Sequence, residues 1–326
     1  MNVLVTGGAG YIGSVVTREL VRSGHRVVVY DNLSHGYRAA VSKEAEFLQG
    51  EVGDARSMTE VLRKYQIDAV MHFAALIEVG ESMRMPERYF QNNTAATLTL
   101  LEAMVAKGVS KFVFSSTAAL YGEPERTPIE ESDALKPANA YGESKLLVER
   151  MLDWLNRIHG LRYASLRYFN AAGAAGELGE AHQPESHLIP LVLQVPLGKR
   201  QSVSIFGTDY PTPDGTCMRD YVHVLDLAQA HLLALAALEE KSRLIFNLGN
   251  GQGFSVREVI ETARKITGHA IPAIESPRRP GDPAVLVASS EKIRTELSWK
   301  PRHGRLEDII GSAWEWHRTH PQGYKV

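Results

Sequence analysis

The sequence predicts an α/β protein with a doubly wound parallel sheet, followed by a smaller mixed α/β unit. In the first half, short apolar runs alternate with longer segments whose apolar residues recur at helical spacing. After about Asn170, glycine and proline become frequent, which is typical of longer loops. We therefore expect one domain over residues 1–170 and a second over 171–326, with residues 220–248 packing back on the first.

The individual elements follow from the same pattern. Six runs rich in β-branched or aromatic residues are the candidate strands: 3–6, 26–30, 45–48, 69–73, 111–115 and 163–167. Segments with apolar residues three and four apart are the candidate helices: 12–23, 57–65, 87–107, 141–159, 257–267 and 305–318. Parallel strands need such crossover helices, which cover both faces of the sheet.

Composition excludes several classes of function. The 326 residues carry 36 basic and 38 acidic side chains, so the net charge of −2 favours neither a nucleic-acid nor an anionic-membrane partner. The most apolar stretch, 228–238, is shorter than the roughly 18 residues that span a bilayer, and the N-terminus resembles no secretory signal. Because the single Cys217 can form no internal disulfide, and because no histidines and cysteines have zinc spacing, we expect a cytoplasmic protein without metal ligands.

A glycine-rich turn is the first candidate functional site. Gly7, Gly10 and Gly13 follow the first predicted strand and open the first predicted helix. At this position the missing side chains let the backbone approach a pyrophosphate, and the helix N-terminus favours an anion. The pattern predicts a dinucleotide-binding, Rossmann-like domain; a glycine-rich turn without a ligand is the alternative.

The end of the second predicted strand indicates which dinucleotide is bound. Asp31 and Asn32 stand there, where a carboxylate accepts hydrogen bonds from the adenosine ribose. A carboxylate repels a 2′-phosphate, so the sequence favours NAD over NADP, although Arg38 lies nearby in the sequence. The alternative for Asp31 is a loop or capping acid.

A tyrosine and a lysine indicate redox chemistry. Tyr141 and Lys145 lie four residues apart at the start of a predicted helix, so they share one face. A neighbouring ammonium and a positive nicotinamide ring both lower the pKa of a phenol, which otherwise titrates near 10. Thr117 follows a predicted strand, so its hydroxyl is expected at the carboxyl edge of the sheet, close to the same substrate oxygen. Together these residues predict hydride transfer between a secondary alcohol and NAD.

The sequence also resembles a known family along essentially its whole length. The segments that carry the resemblance lie mostly outside the generic cofactor fold: His72-Phe73-Ala74-Ala75, Val79-Gly80-Glu81-Ser82, Asn92-Asn93, Arg167-Tyr168-Phe169-Asn170, residues 209–216, Arg219-Asp220-Tyr221-Val222-His223 and His320-Pro321-Gln322-Gly323-Tyr324. On these segments the chain resembles the UDP-glucose 4-epimerases of the extended short-chain dehydrogenase/reductase group. The resemblance implies that Tyr141 takes a proton from the sugar 4-hydroxyl, that NAD is regenerated in every cycle, and that the protein is a homodimer.

The resemblance also implies binding residues by position. For NAD they are Gly7, Gly10, Tyr11, Ile12, Gly13, Asp31, Asn32, Glu51, Val52, Phe73, Ala74, Asn93, Tyr141, Lys145 and Tyr168. For a UDP-sugar they are Thr117, Tyr141, Asn170, His187, Leu188, Phe206, Arg219, Tyr221, Arg279 and Asp282. Glu51-Val52 replaces a frequent Asp and Ile, Ile77 stands where some relatives have a lysine, and Leu286 matches a position whose bulk affects the fit of an N-acetyl group.

Three other functions remain open at this stage. A sugar-nucleotide 4,6-dehydratase shares the fold but needs an acid pair after the threonine, and Ala118-Ala119 stand there instead. A non-catalytic NAD-binding module is the alternative from another class. Epimerases of UDP-N-acetylhexosamines or of other UDP-sugars are the third possibility.

Overall fold

The computed structural model describes residues 1–279 and 282–325. The strands are, in chain order, β1 (Asn2–Thr6), β2 (Arg26–Asp31), β3 (Glu46–Gln49), β4 (Ala69–His72), β5 (Lys111–Thr117), β6 (Arg162–Tyr168), β7 (Asn170–Ala172), β8 (Val203–Phe206), β9 (Met218–His223), β10 (Arg243–Leu248), β11 (Gly253–Ser255), β12 (Ala273–Ser276) and β13 (Val285–Leu286). The helices are α1 (Tyr11–Arg22), α2 (Ala55–Lys64), α3 (Val79–Ser82), α4 (Pro86–Tyr89), α5 (Ala96–Lys107), α6 (Ala140–His159), α7 (Leu188–Leu193), α8 (Val224–Ala237), α9 (Val256–Thr267), α10 (Glu291–Leu297) and α11 (Leu306–Thr319).

Seven parallel strands form the main sheet, in the order β10-β6-β5-β4-β1-β2-β3. Residues of β4 are buried throughout, and those of β1, β5 and β6 nearly so, as expected for a parallel sheet that is covered on both faces. One apolar core contains residues of α1 and α8, and a second contains residues of α2, α5 and α6. The predicted doubly wound α/β fold is therefore confirmed.

The strand register brings the candidate site residues to one edge of the sheet. Thr6 pairs with Tyr30 of β2 and with His72 of β4, so the glycine turn, Asp31 and Phe73 follow strands that end at the same level. Thr117 pairs with Tyr168 at the ends of β5 and β6. Because ligands of such sheets bind outside the carboxyl ends of the strands, this edge is the expected place of a site.

The helix predicted over residues 87–107 is interrupted. Between α4 and α5 the backbone takes a π-helical course over Phe90–Ala95. This stretch contains the buried Asn93, whose side chain accepts from the backbone N–H of Leu76 at 2.9 Å and donates to its carbonyl at 2.9 Å. A π-helical turn holds more residues than an α-helical one and so changes which side chains face inward, and periodicity alone does not reveal it.

The second half forms smaller sheets and then returns to the first. Strands β11, β9 and β13 are adjacent, β7 pairs with β9, and β12 pairs with β8. Helix α8 and strand β10 lie between these segments in the sequence. Helix α8 packs in the same apolar core as α1, and β10 pairs with β6 at the end of the main sheet. The domain boundary near residue 170 stays a prediction. In the part of the chain that the structure describes, every helix is too short or too polar to cross a bilayer.

Candidate active site

The glycine turn between β1 and α1 leaves no room for side chains. Gly7 has a φ of +73°, and a Cβ there would lie 2.4 Å from the backbone nitrogen of Ala74. A Cβ on Gly13 would lie 2.2 Å from the carbonyl oxygen of Gly7. Helix α1 begins at Tyr11 without a side-chain cap, so its first N–H groups and its dipole face an open turn that suits a pyrophosphate.

Asp31 ends β2 beside this turn. Its side chain is buried and accepts hydrogen bonds from the backbone N–H groups of Ala9 at 3.0 Å and Leu33 at 2.8 Å. Burial raises the pKa of Asp31, and these two hydrogen bonds oppose the rise. The carboxylate retains lone pairs that can accept from ribose hydroxyls. The next residue, Asn32, donates to Glu51 at 3.1 and 3.2 Å, which fixes a second carboxylate at the same end of the cleft.

Thr117, Tyr141 and Lys145 come together where β5 meets the start of α6. The side chain of Asn139 caps α6 by accepting from the N–H of Gly142 at 2.8 Å. Lys145, one turn after Tyr141, donates from Nζ to the carbonyl oxygen of Ser115 at 2.8 Å. Helix α6 and strand β5 therefore hold the phenol, the ammonium and the hydroxyl at one point.

The pKa of Tyr141 shifts in the direction opposite to the one that the residue types predict. Burial raises the pKa of Tyr141, and the Thr117 side chain only partly offsets this. Burial also lowers the pKa of Lys145 to about 7, so its positive charge is reduced near neutrality. In this chain desolvation therefore outweighs the expected effect of the ammonium on the phenol. The lysine is instead bound to a backbone carbonyl and lies 4.8 Å from the centre of the Phe114 ring.

A cleft of about 550 Å3 joins these groups. It extends from the glycine turn, past the catalytic candidates, to residues of the second half of the chain. The predicted site residues that line it are Gly7, Gly10, Tyr11, Ile12, Gly13, Asp31, Asn32, Glu51, Val52, Phe73, Ala74, Thr117, Tyr141, Lys145, Tyr168, Asn170, His187, Arg219 and Asp282. Ile77 and Leu286 line it as well. A cleft of this length suits an extended ligand or two ligands end to end.

The structure places the other predicted residues behind or beyond the cleft wall. These are Asn93, Leu188, Phe206, Tyr221 and Arg279. Asn93 is buried and braces the backbone of Leu76, which itself lines the cleft. The guanidinium of Arg279 lies over the Phe206 ring, 3.9 Å from its centre. Closer to the cleft, Arg219 forms an ion pair with Asp282.

Sequence reasoning missed a buried ion pair behind the catalytic candidates. Glu149 lies on α6 one turn after Lys145, and it accepts from the Arg167 guanidinium at 2.6 and 3.1 Å. The same carboxylate accepts from the hydroxyl of Ser116 at 2.6 Å, directly before Thr117 in the chain. This pair therefore ties α6 to the ends of β5 and β6. The sequence alone does not show whether a charged residue on a helix faces the core or the solvent.

A second missed group lies in the loop before α7. Glu180, His182, Glu185 and His187 place one nitrogen or oxygen each within 4.8 Å of one another. His182 Nδ1 lies 3.0 Å and His187 Nδ1 2.8 Å from Glu180 Oε1. His182 and His187 have the H-x4-H spacing found in some zinc sites, but Glu180 and Glu185 give no comparable signal, because isolated carboxylates in a loop are common.

Comparison with known proteins agrees with this geometry. Residues 3–249 match the NAD dependent epimerase/dehydratase family. The UDP-glucose 4-epimerase of Halalkalibacterium halodurans is 53% identical over 329 residues, which covers 100% of this chain and 98% of the relative. A crystal structure of UDP-glucose 4-epimerase from Brucella ovis in complex with NAD is 44% identical, with a TM-score of 0.94 and coverage of 96% of this chain and 97% of that one. The UDP-glucose 4-epimerase of Bifidobacterium longum, solved in complex with NAD+ and UDP, is 38% identical over 99% of this chain and 100% of that one, with a TM-score of 0.94. The chain therefore belongs to the NAD dependent epimerase/dehydratase family.

Proposed function

We propose that this chain catalyses the NAD-dependent 4-epimerisation of a UDP-hexose and interconverts UDP-galactose and UDP-glucose. The observation that carries the proposal is the meeting of Thr117, Tyr141 and Lys145 in a cleft that reaches both the glycine turn and Arg219. One end of the cleft suits a dinucleotide, and the other offers cations to a second diphosphate. Full-length relatives named UDP-glucose 4-epimerase support the same activity.

The cofactor end fits NAD. Side chains are excluded from the turn at Gly7 and Gly13, so a pyrophosphate can approach the backbone closely. The Asp31 carboxylate suits ribose hydroxyls and repels a 2′-phosphate, which favours NAD over NADP. Bound NAD supplies a ring that accepts hydride from carbon 4 and later returns it, and its positive charge favours an ionised phenol nearby.

The chain itself supplies proton transfer and positioning. We assign Tyr141 Oη as the group that takes the proton of the 4-hydroxyl when that carbon becomes a ketone, and that returns it after the sugar has turned. Thr117 holds the same oxygen through its hydroxyl. When Lys145 carries its proton, it favours the phenolate over the phenol, because opposite charges attract strongly in a buried site. Bound NAD is expected to add the further positive charge that offsets the effect of burial on Tyr141.

The far end of the cleft is assigned to the nucleotide of the substrate. Epimerisation requires a firm hold on UDP and a weak hold on the hexose, because the ketone must present both faces. Arg219 and Arg279 are the proposed diphosphate ligands, since a guanidinium donates to phosphate in pairs. Arg219 lines the cleft, whereas the Arg279 guanidinium lies over the Phe206 ring and must turn inward to reach a phosphate. We assign Asp282, which forms an ion pair with Arg219, to the uridine ribose. Leu286 lines the cleft, so its bulk is expected to decide how well an N-acetyl group fits.

A dehydratase is the weaker candidate. Elimination of water needs a further acid and base next to the threonine. Ala118 and Ala119 line the cleft at that point, and neither can transfer a proton. These residues therefore favour epimerisation over dehydration.

We further propose a cytoplasmic homodimer that associates through α5 and α6. These helices expose Leu98, Trp154 and Ile158, and the side chains of Trp154 and Ile158 are 62% and 68% exposed. Apolar side chains of this size on neighbouring helices favour burial against a second copy. A reduced, buried Cys217 is compatible with the cytoplasm. Sedimentation at working concentration tests the dimer, and a monomer there would contradict it.

Conversion without added cofactor tests the proposed activity. Purified chain is incubated with UDP-galactose, and in parallel with UDP-N-acetylgalactosamine, and the products are separated by chromatography. Formation of UDP-glucose without added NAD is the expected result, because the cofactor is regenerated in the site. The ratio of the two rates measures the effect of Leu286. No conversion of either sugar, even with NAD supplied, would contradict the proposal.

A further inference from the structure

The loop before α7 concentrates four ligand-type side chains, and three of them line the cleft, namely Glu180, His182 and His187. Glu180, His182, Glu185 and His187 all come from one short segment, and Glu180 is only 5% exposed. His182 and His187 point their Nδ1 atoms at the same Glu180 oxygen, at 3.0 and 2.8 Å. His187 Nδ1 also lies 3.0 Å from Glu185 Oε1. Four donors therefore converge on one small volume.

The two imidazole rings of this cluster lie close together, with ring centres 5.3 Å apart. Two carboxylates with two neutral imidazoles and one divalent cation have zero net charge, so a single ion of this charge would balance the four side chains.

We propose that Glu180, His182, Glu185 and His187 form a site for one borderline divalent cation of the zinc and cobalt class. Imidazole and carboxylate ligands together suit Zn2+, Co2+ or Ni2+, whereas Mg2+ prefers oxygen ligands alone. In a tetrahedral zinc site the ligand atoms lie about 2.0–2.1 Å from the ion, and hence about 3.4 Å apart. Three of the present separations are 2.8 to 3.0 Å, and all four ligand atoms lie within 4.8 Å of one another, so small shifts of the side chains bring them to that value.

The site lies against the cofactor end of the cleft. The ring of His182 packs edge-on against that of Tyr11 at 6.4 Å, and Tyr11 is the first residue of α1. The hydroxyl of Ser186 donates to Glu78 Oε1 at 3.0 Å, and Glu78 lines the cleft. A bound ion holds residues 180–187 against the glycine turn. The proposal concerns the metal alone and does not depend on the reaction proposed above.

Cobalt binding tests the site. Full-length chain without an affinity tag is stripped with a chelator and titrated with Co2+, whose visible absorption reports four-coordinate binding. One ion per chain is expected, and Zn2+ should displace it. His182→Gln and Glu185→Gln should each lower the affinity at least about tenfold. In the second variant the amide oxygen can still accept the backbone hydrogen bonds that Glu185 receives from residues 186 and 187, so the loop conformation is kept. His269→Gln, at an exposed histidine, is the matched control and should bind like the unchanged chain.

Two results would overturn the proposal. One is the absence of a cobalt spectrum, which would leave an ion-pair cluster without a metal. The other is cobalt binding of unchanged affinity in folded His182→Gln or folded Glu185→Gln.

Discussion

Replacement of Tyr141 by phenylalanine separates chemistry from folding. The variant keeps the aromatic ring and loses only the oxygen to which we assign proton transfer. General acid–base catalysis contributes about 10²- to 10⁴-fold to a rate, which is about 3–5 kcal/mol in activation free energy. Turnover of UDP-galactose should fall by this factor.

The structure indicates that the same change has little effect on stability. The Tyr141 hydroxyl interacts with the Thr117 side chain and with no other hydrogen-bonding group among the described residues, so its loss should lower the free energy of unfolding by no more than about 1 kcal/mol. NAD content should be unchanged, because the glycine turn and Asp31 are untouched. Tyr65→Phe is the control, since that hydroxyl donates to Glu46 on an exposed surface at 3.3 Å.

The assay measures product by chromatography and NAD released after denaturation, in the same preparations. Loss of turnover with NAD retained is the expected result. Turnover close to that of the Tyr65 variant would refute the assignment of Tyr141. Loss of NAD together with turnover would show that the tyrosine serves cofactor binding instead.

Three further predictions concern the site and its support. Burial lowers the pKa of Lys145 from 10.5 to about 7, so between these pH values the unfolded chain binds one more proton than the folded chain. In unfolding experiments on NAD-free protein, the unchanged chain should therefore gain stability relative to Lys145→Met as the pH rises, by about 4–5 kcal/mol in total. Gly13→Ala would place a Cβ 2.2 Å from a backbone oxygen of the turn, so the purified variant should contain no NAD. Gly311→Ala is the control, because a Cβ there would have no neighbouring atom within 4 Å, and this variant should retain NAD. Arg167→Met leaves the buried Glu149 carboxylate without its cation and should lower the free energy of unfolding, measured with denaturant, by about 3–5 kcal/mol. The double variant Arg167→Met with Glu149→Leu should recover much of this loss. An equal loss in the single and the double variant would contradict the ion-pair account.

The features that depend on residues close together in the sequence, such as the glycine turn and the first turn of α6, could be predicted. Gly7 and Gly13 leave a readable pattern because the turn tolerates no side chain, and Tyr141 and Lys145 do so because one helical turn separates them. The register of parallel strands then places Thr117 at the same edge without further information.

The remaining features depend on contacts between distant segments. The sequence predicts that residues 220–248 pack back on the first part of the chain, but the sequence of β10 does not indicate that its partner is β6. Asn93 faces inward because of a π-helical stretch, so a helical period misplaces it. The raised pKa of Tyr141 follows from the desolvation of an assembled cleft, whereas adjacent residue types predict only the opposing effect of Lys145.

Because β10 returns to the main sheet, the chain does not divide near residue 170 into two halves that could be exchanged separately. A single crossover near residue 170, which would exchange everything after it for the substrate-binding part of another enzyme, also removes β10 and α8. The remaining cofactor fragment would expose the unpaired edge of β6 and the face of α1 that α8 covers. New substrate preferences in this architecture are therefore more accessible through short loop grafts around residues such as Leu286 than through exchange of whole halves.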